Sequence, residues 1–174
     1  MKISFSDSKQ NKRLQKEARR ILRTDVLKIL GKRLSSKIKY LNIVFLYRWT
    51  KRTARDNDEI KDFQLWDNQD TVTLFLAPDW LKGDLSALRY GLRHEIVHLK
   101  DVMENNLISI SKKPFKVKYR KNKNSKYRTF TKLPKNEMLM KTYNESWEAH
   151  IAYITKFFPW EEKAHNISCA YNLK

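Results

Sequence analysis

Residues 93–101 read Arg-His-Glu-Ile-Val-His-Leu-Lys-Asp, and within them His94, Glu95 and His98 have the types and spacing for metal chemistry. Two histidines four residues apart stand one turn apart on a helix, so both imidazoles can reach one ion. A glutamate beside the first can then take a proton from water activated at that ion. Zinc is the metal this set suits, and a catalytic zinc usually takes three protein ligands and keeps one position for water. The third ligand must come from elsewhere, and the candidates are Asp101, Glu145, Glu148, His150 and His165. Asp101 follows His98 by one turn of the same helix, which suits orienting an imidazole better than binding the metal.

The elements that must position these groups follow from the apolar spacing. Residues 85–104 predict a helix, with Asp84 as its N-cap and Leu85, Leu88, Leu92, Ile96, Leu99 and Met103 on one stripe. His94 and His98 fall on the other side, beside Ala87 and Gly91, so the helix should pack its back on a sheet and turn its front to a cleft. Residues 137–158 predict a second helix, with Met140, Tyr143, Trp147, Ile151, Ile154 and Phe158 as its buried stripe and an end at Pro159. On that wheel Glu148 lies about 100° from the stripe and Glu145 about 160°. Glu148 is therefore the preferred third ligand, with Glu145 and His150 as alternatives; an exposed helix acid is the plainer account of Glu148.

Upstream, residues 8–37 predict an amphipathic basic helix carrying Leu14, Ala18, Ile21, Leu22, Val26, Ile29, Leu30 and Leu34. Residues 38–49 are apolar on both alternations, as in a strand covered on both faces. After a polar loop, Asp-Phe-Gln-Leu-Trp and Thr-Val-Thr-Leu-Phe-Leu-Ala-Pro, separated by Asp-Asn-Gln-Asp, read as a hairpin. In 111–136, Phe115, Val117 and Tyr119 alternate with Lys116, Lys118 and Arg120, so the segment reads as a basic hairpin or a loop of the same composition.

The charge is segregated. Residues 1–55 carry 17 Lys and Arg against 3 acids, 105–136 carry 11 against none, and 56–104 reverse the balance with 5 against 11. Such blocks attract polyanions, nucleic acid foremost, with Lys116, Lys118, Arg120, Lys126 and Arg128 as the candidate contacts. A solubilising lysine-rich surface accounts for them equally. One cysteine, Cys169, excludes an intramolecular disulfide. The opening residues lack the apolar run of a signal peptide and no stretch is long enough to span a membrane, so a cytoplasmic protein is expected.

With His94, Glu95 and His98, the upstream Thr-Val-Thr-Leu-Phe-Leu-Ala-Pro strand and the downstream Asn-Glu-Ser-Trp-Glu-Ala-His-Ile-Ala-Tyr-Ile helix, residues 38–158 resemble the zincin metallopeptidases. The layout is similar to the minimal gluzincin-like families of the ImmA/IrrE and SprT-like kinds. The resemblance implies a single α+β domain over 1–174, with a small mixed or antiparallel sheet against an N-terminal helix, the motif helix and a C-terminal helix. It also implies a strand ahead of the motif helix that lies along the substrate cleft. Zinc on His94, His98 and Glu148, Glu95 as general base, and a peptide substrate would make the chain a hydrolase. Tyr143, Tyr153 or His165 could supply the donor to the oxyanion. The alternative is a basic nucleic-acid-binding protein whose zincin-like site is structural or inactive.

Overall fold

The computed structural model describes residues 1–5, 12–45, 63–65, 70–76, 85–111 and 114–170. It is a mixed α+β protein that divides into two compact units, Met1–Lys100 and Asp101–Lys174. The polar loop after Trp49, residues 67–69 of the Asp-Asn-Gln-Asp turn, the Asp84 cap, and Trp49, Trp66 and Trp80 lie outside the described residues.

The first unit holds a four-stranded sheet in the order β1-β2-β4-β3, formed by β1 (Lys2–Phe5), β2 (Tyr40–Phe45), β3 (Phe63–Leu65) and β4 (Thr71–Leu76). β1, β2 and β4 are parallel, with Lys2 opposite Tyr40 and Tyr40 opposite Thr71, whereas β3 runs antiparallel to β4. The antiparallel β3–β4 pair is the expected hairpin pairing. β4 is an interior strand, paired with β2 along Thr71–Leu76 and with β3 at Val72–Leu74, and among the described residues the outer strands of the sheet are β1 and β3.

Parallel strands need a long crossover, and α1 (Lys12–Ser35) supplies it between β1 and β2. Its apolar stripe is buried as the spacing predicts, from Ala18 through Leu34. The helix is not continuous: Gly31 has φ 75° and ψ 160°, a conformation open to a residue without Cβ. β2 is buried on one face only. Leu41 and Ile43 are inaccessible, but Tyr40 is exposed and Asn42 and Val44 are half-buried. The cause is a polar row across the sheet, in which Asn42 stands between Ser4 and Thr73 and accepts the Ser4 hydroxyl. The unit ends within α2 (Leu85–Met103), the helix that carries the histidine motif.

The second unit contains an antiparallel sheet in the order β5-β6-β7, from β5 (Leu107–Ser111), β6 (Lys116–Tyr119) and β7 (Arg128–Phe130). Along β6, Val117 and Tyr119 are buried and Lys116 and Lys118 exposed, so the period-two pattern holds. Three helices follow: α3 (Asn136–Glu145), α4 (Trp147–Ile154) and α5 (Pro159–Ala170). The single helix expected over 137–158 is thus broken. Ser146 is extended at φ −168° and ψ 161°, and its hydroxyl caps α4 by accepting from the Ala149 N–H at 3.0 Å. Pro159 opens a helix as well as closing a pattern, since a first-turn residue needs no N–H donor. The unit's core is aromatic: Trp160 is inaccessible, stacks on Phe158 at 5.2 Å, and meets the Tyr119 and Phe130 rings edge-on at 5.5 Å each. No helix among the described residues is long and apolar enough to cross a membrane.

Candidate metal centre

α2 places the motif by simple periodicity. Leu88, Leu92, Ile96 and Leu99 are buried, as the stripe requires. The opposite face departs from expectation: every residue from Gly91 to Leu99 is buried, so the front of the helix is enclosed as well as its back. Within this stretch Val97 adds a buried apolar side chain off the main stripe, and the buried Arg93 donates through Nε to the Asp25 carboxylate of α1 at 2.7 Å.

Within this enclosure His94, Glu95 and His98 are 7%, 2% and 3% exposed. One potential ligand atom from each lies within 4.8 Å of the others, and this is the one such group of three or more among the described residues. The two imidazoles meet edge to face, with centroids 4.6 Å apart and planes at 81°. Their Nε2 atoms approach to 3.0 Å. The geometry suits a shared metal. With Zn–N distances of about 2.0–2.1 Å, tetrahedral ligation asks for nitrogens about 3.3–3.4 Å apart. A small rotation of either ring closes that difference, and without a metal the same approach is a ring N–H to ring N hydrogen bond.

Tyr90 extends the row by one more turn. Its hydroxyl lies 3.4 Å from His94 Nδ1, on the far side of the ring from His98. A partner on the second ring nitrogen fixes the tautomer and aims the first, which is how histidine ligands are generally held. The sequence carried this signal in the spacing 90, 94, 98. The Asp25–Arg93 pair had no such signal, because its partners are 68 residues apart.

The other candidates belong to the second unit. Asp101 is inaccessible and its Oδ1 is engaged by Lys163 Nζ and, at 3.4 Å, by Asn106 Nδ2. Asp101 therefore has a structural task, tying the end of α2 to α5 within that unit. Glu145 and Glu148 are both exposed and, because Ser146 separates their helices, share no common wheel. Met140 and Tyr143, assigned to the buried stripe, are 60% and 45% exposed for the same reason. His150 is half-buried, its ring edge-on to Tyr143 at 5.5 Å and its Nδ1 3.5 Å from the Thr142 hydroxyl; burial holds its pKa below the usual histidine value. His165 and Tyr153 are also half-buried, and Cys169 Sγ lies 3.8 Å from His165 Nε2. Of the five acids on α3, α4 and α5, Glu161 alone is withdrawn partly from solvent.

The five basic candidates divide between two faces. Lys116 and Lys118 project from one side of β6, while Arg128, directly opposite Tyr119 in the register, belongs to the other side. Arg120 and Lys126 join Arg128 in lining a groove. No protein-family model, curated protein or solved structure matches the chain, so its chemistry is read from these residues themselves.

Proposed function

We propose that the chain is a zinc-dependent peptidase in which His94 and His98 hold the metal through Nε2 and Glu95 is the general base. The observation that carries this reading is the convergence of two buried Nε2 atoms at 3.0 Å with the Glu95 carboxylate in the same cluster. Zinc, when bound, supplies Lewis-acid polarisation of a carbonyl and makes water acidic enough to lose a proton near neutrality. Tyr90 keeps the His94 ring turned so that Nε2 faces the ion. Glu95 takes the proton from water and passes it to the departing amine.

Metal content of the purified chain tests the reading. One zinc per chain is expected, lost in His94→Ala and His98→Ala. Glu95→Gln should keep the metal and abolish cleavage of a fluorogenic peptide library; retained cleavage would remove Glu95 from its role. A chain that holds zinc and cleaves no peptide would be the inactive, structural form of the site. No zinc, with unchanged unfolding after chelation, would refute the metal centre. For the third ligand, Glu148 is the candidate from sequence, with Glu145 and His150 as alternatives. Zinc content of Glu148→Ala, Glu145→Ala and His150→Ala, measured side by side, identifies which is required.

A further inference from the structure

The second unit contains a groove of about 460 Å³ between the β6–β7 hairpin and α5. Its volume falls in the range of about 300–1,000 Å³ typical of small-ligand sites. The hairpin side provides Tyr119, Arg120, Lys126, Arg128 and Phe130, and α5 provides Lys163 and Ile167 among others. Lys121 adds a further cation, and Glu162 is the one acid in the lining. The hairpin cations have no acid nearby in sequence, since residues 105–136 contain none.

Two of these features distinguish a built surface from scattered lysines. Arg120 is fixed: its Nε donates to Asn106 Oδ1 at 3.1 Å, and its guanidinium lies over the exposed Tyr127 ring at 4.7 Å. Aromatic side chains also lie between the cations, because Tyr119 and Phe130 share the β-sheet face with Arg128. Burial, reinforced by Asp101 and Glu162, pushes the Tyr119 hydroxyl up to about 12, so it remains a neutral donor.

We propose that this groove binds single-stranded nucleic acid, with Lys126, Arg128 and Arg120 on phosphates and a base entering against the half-buried Phe130. Cations alternating with aromatic faces are the combination that single strands use, one for the backbone and one for the bases. Duplexes keep their bases stacked inward and cannot offer one to a concavity that holds about one nucleotide. An acidic peptide would use the cations and leave the aromatic faces idle. The proposal is independent of the metal centre, and it gives Lys116 and Lys118, on the opposite face of β6, no part in binding.

That separation of faces provides the test. Binding of labelled oligothymidylate is followed by fluorescence anisotropy from about 50 to 200 mM salt, the range over which phosphate contacts are strongly screened. Lys126→Ala/Arg128→Ala and Lys116→Ala/Lys118→Ala remove equal charge from exposed positions on the two faces. The first pair should weaken binding about tenfold and reduce the salt slope by about 1.4, at roughly 0.7 per phosphate contact. The second should stay within about twofold of the parent chain. Equal losses in the two pairs would overturn the groove in favour of diffuse charge. Equal affinity for a duplex, or displacement by poly-glutamate at the same charge concentration, would overturn the single-strand assignment.

Discussion

Replacing Asp25 by alanine removes from α1 the carboxylate that accepts from Arg93 Nε of α2. The side chains are 7% and 10% exposed and the bond is 2.7 Å, so water cannot take the place of the lost oxygen. Breaking a buried pair by removing one partner costs about 3–5 kcal/mol, a large part of the roughly 5–15 kcal/mol that holds a typical domain together. The Lys39–Asp70 pair is the internal control: its bond is 2.9 Å, but Lys39 is 71% exposed. Its loss in Asp70→Ala should cost no more than about 1 kcal/mol. In urea, with a slope of about 2 kcal/mol/M, Asp25→Ala should lower the unfolding midpoint by about 1.5–2.5 M and Asp70→Ala by no more than about 0.5 M. The double variant Asp25→Leu/Arg93→Met should recover much of the loss, because an apolar pair of similar volume needs no counter-charge. Similar midpoints for Asp25→Ala and Asp70→Ala would refute the reasoning, showing that solvent reaches Arg93 once Asp25 is gone.

Three further outcomes are expected. Tyr90→Phe should leave the helical signal unchanged and weaken zinc affinity about tenfold, the scale of losing a group that orients a histidine ligand; unchanged affinity in a chelator competition would remove Tyr90 from the site. Hydrogen bonds from Arg20 and Arg89 hold the Glu17 carboxyl at about 2 instead of 4.5. The unfolded state therefore binds the extra proton between those values, so this stabilisation is complete above about pH 4.5 and disappears as pH falls toward 2. Arg89→Met should flatten that part of the stability–pH curve, and an unaltered curve would contradict the assignment. Ser146→Ala should cost about 1 kcal/mol by uncapping α4, read from thermal unfolding, while Ser36→Ala, whose hydroxyl bonds only the Arg33 carbonyl at an exposed turn, should be near neutral.

Where one local rule was enough, the sequence was readable. The recurrence of Leu88, Leu92, Ile96 and Leu99 marked α2, and the alternation of Phe115, Val117 and Tyr119 marked the buried face of the basic hairpin. Errors arose where one pattern admitted two geometries. The apolar residues from Met140 to Phe158 fit a continuous wheel, and only Ser146, an ordinary N-cap residue, marks the break that resets the phase. β1 and β5, at four and five residues, are too short for alternation to stand out from chance. The pairing of Arg93 with Asp25 joins two helices far apart in sequence, and the division of the basic candidates depends on strand register. Both are long-range facts that residue types alone do not encode.

The two sheets place different demands on the folding chain. In the second unit each strand finds its partner nearby, Tyr119 with Arg128 across a short turn, so pairing costs little loop-closure entropy. In the first, Lys2 must wait for Tyr40, and Tyr40 for Thr71. Parallel pairing at such separations is slow, because the closure entropy is spent before any contact forms. The antiparallel sheet should therefore acquire protection from hydrogen exchange early in refolding, and the strand at Lys2–Phe5 should be among the last segments to acquire it.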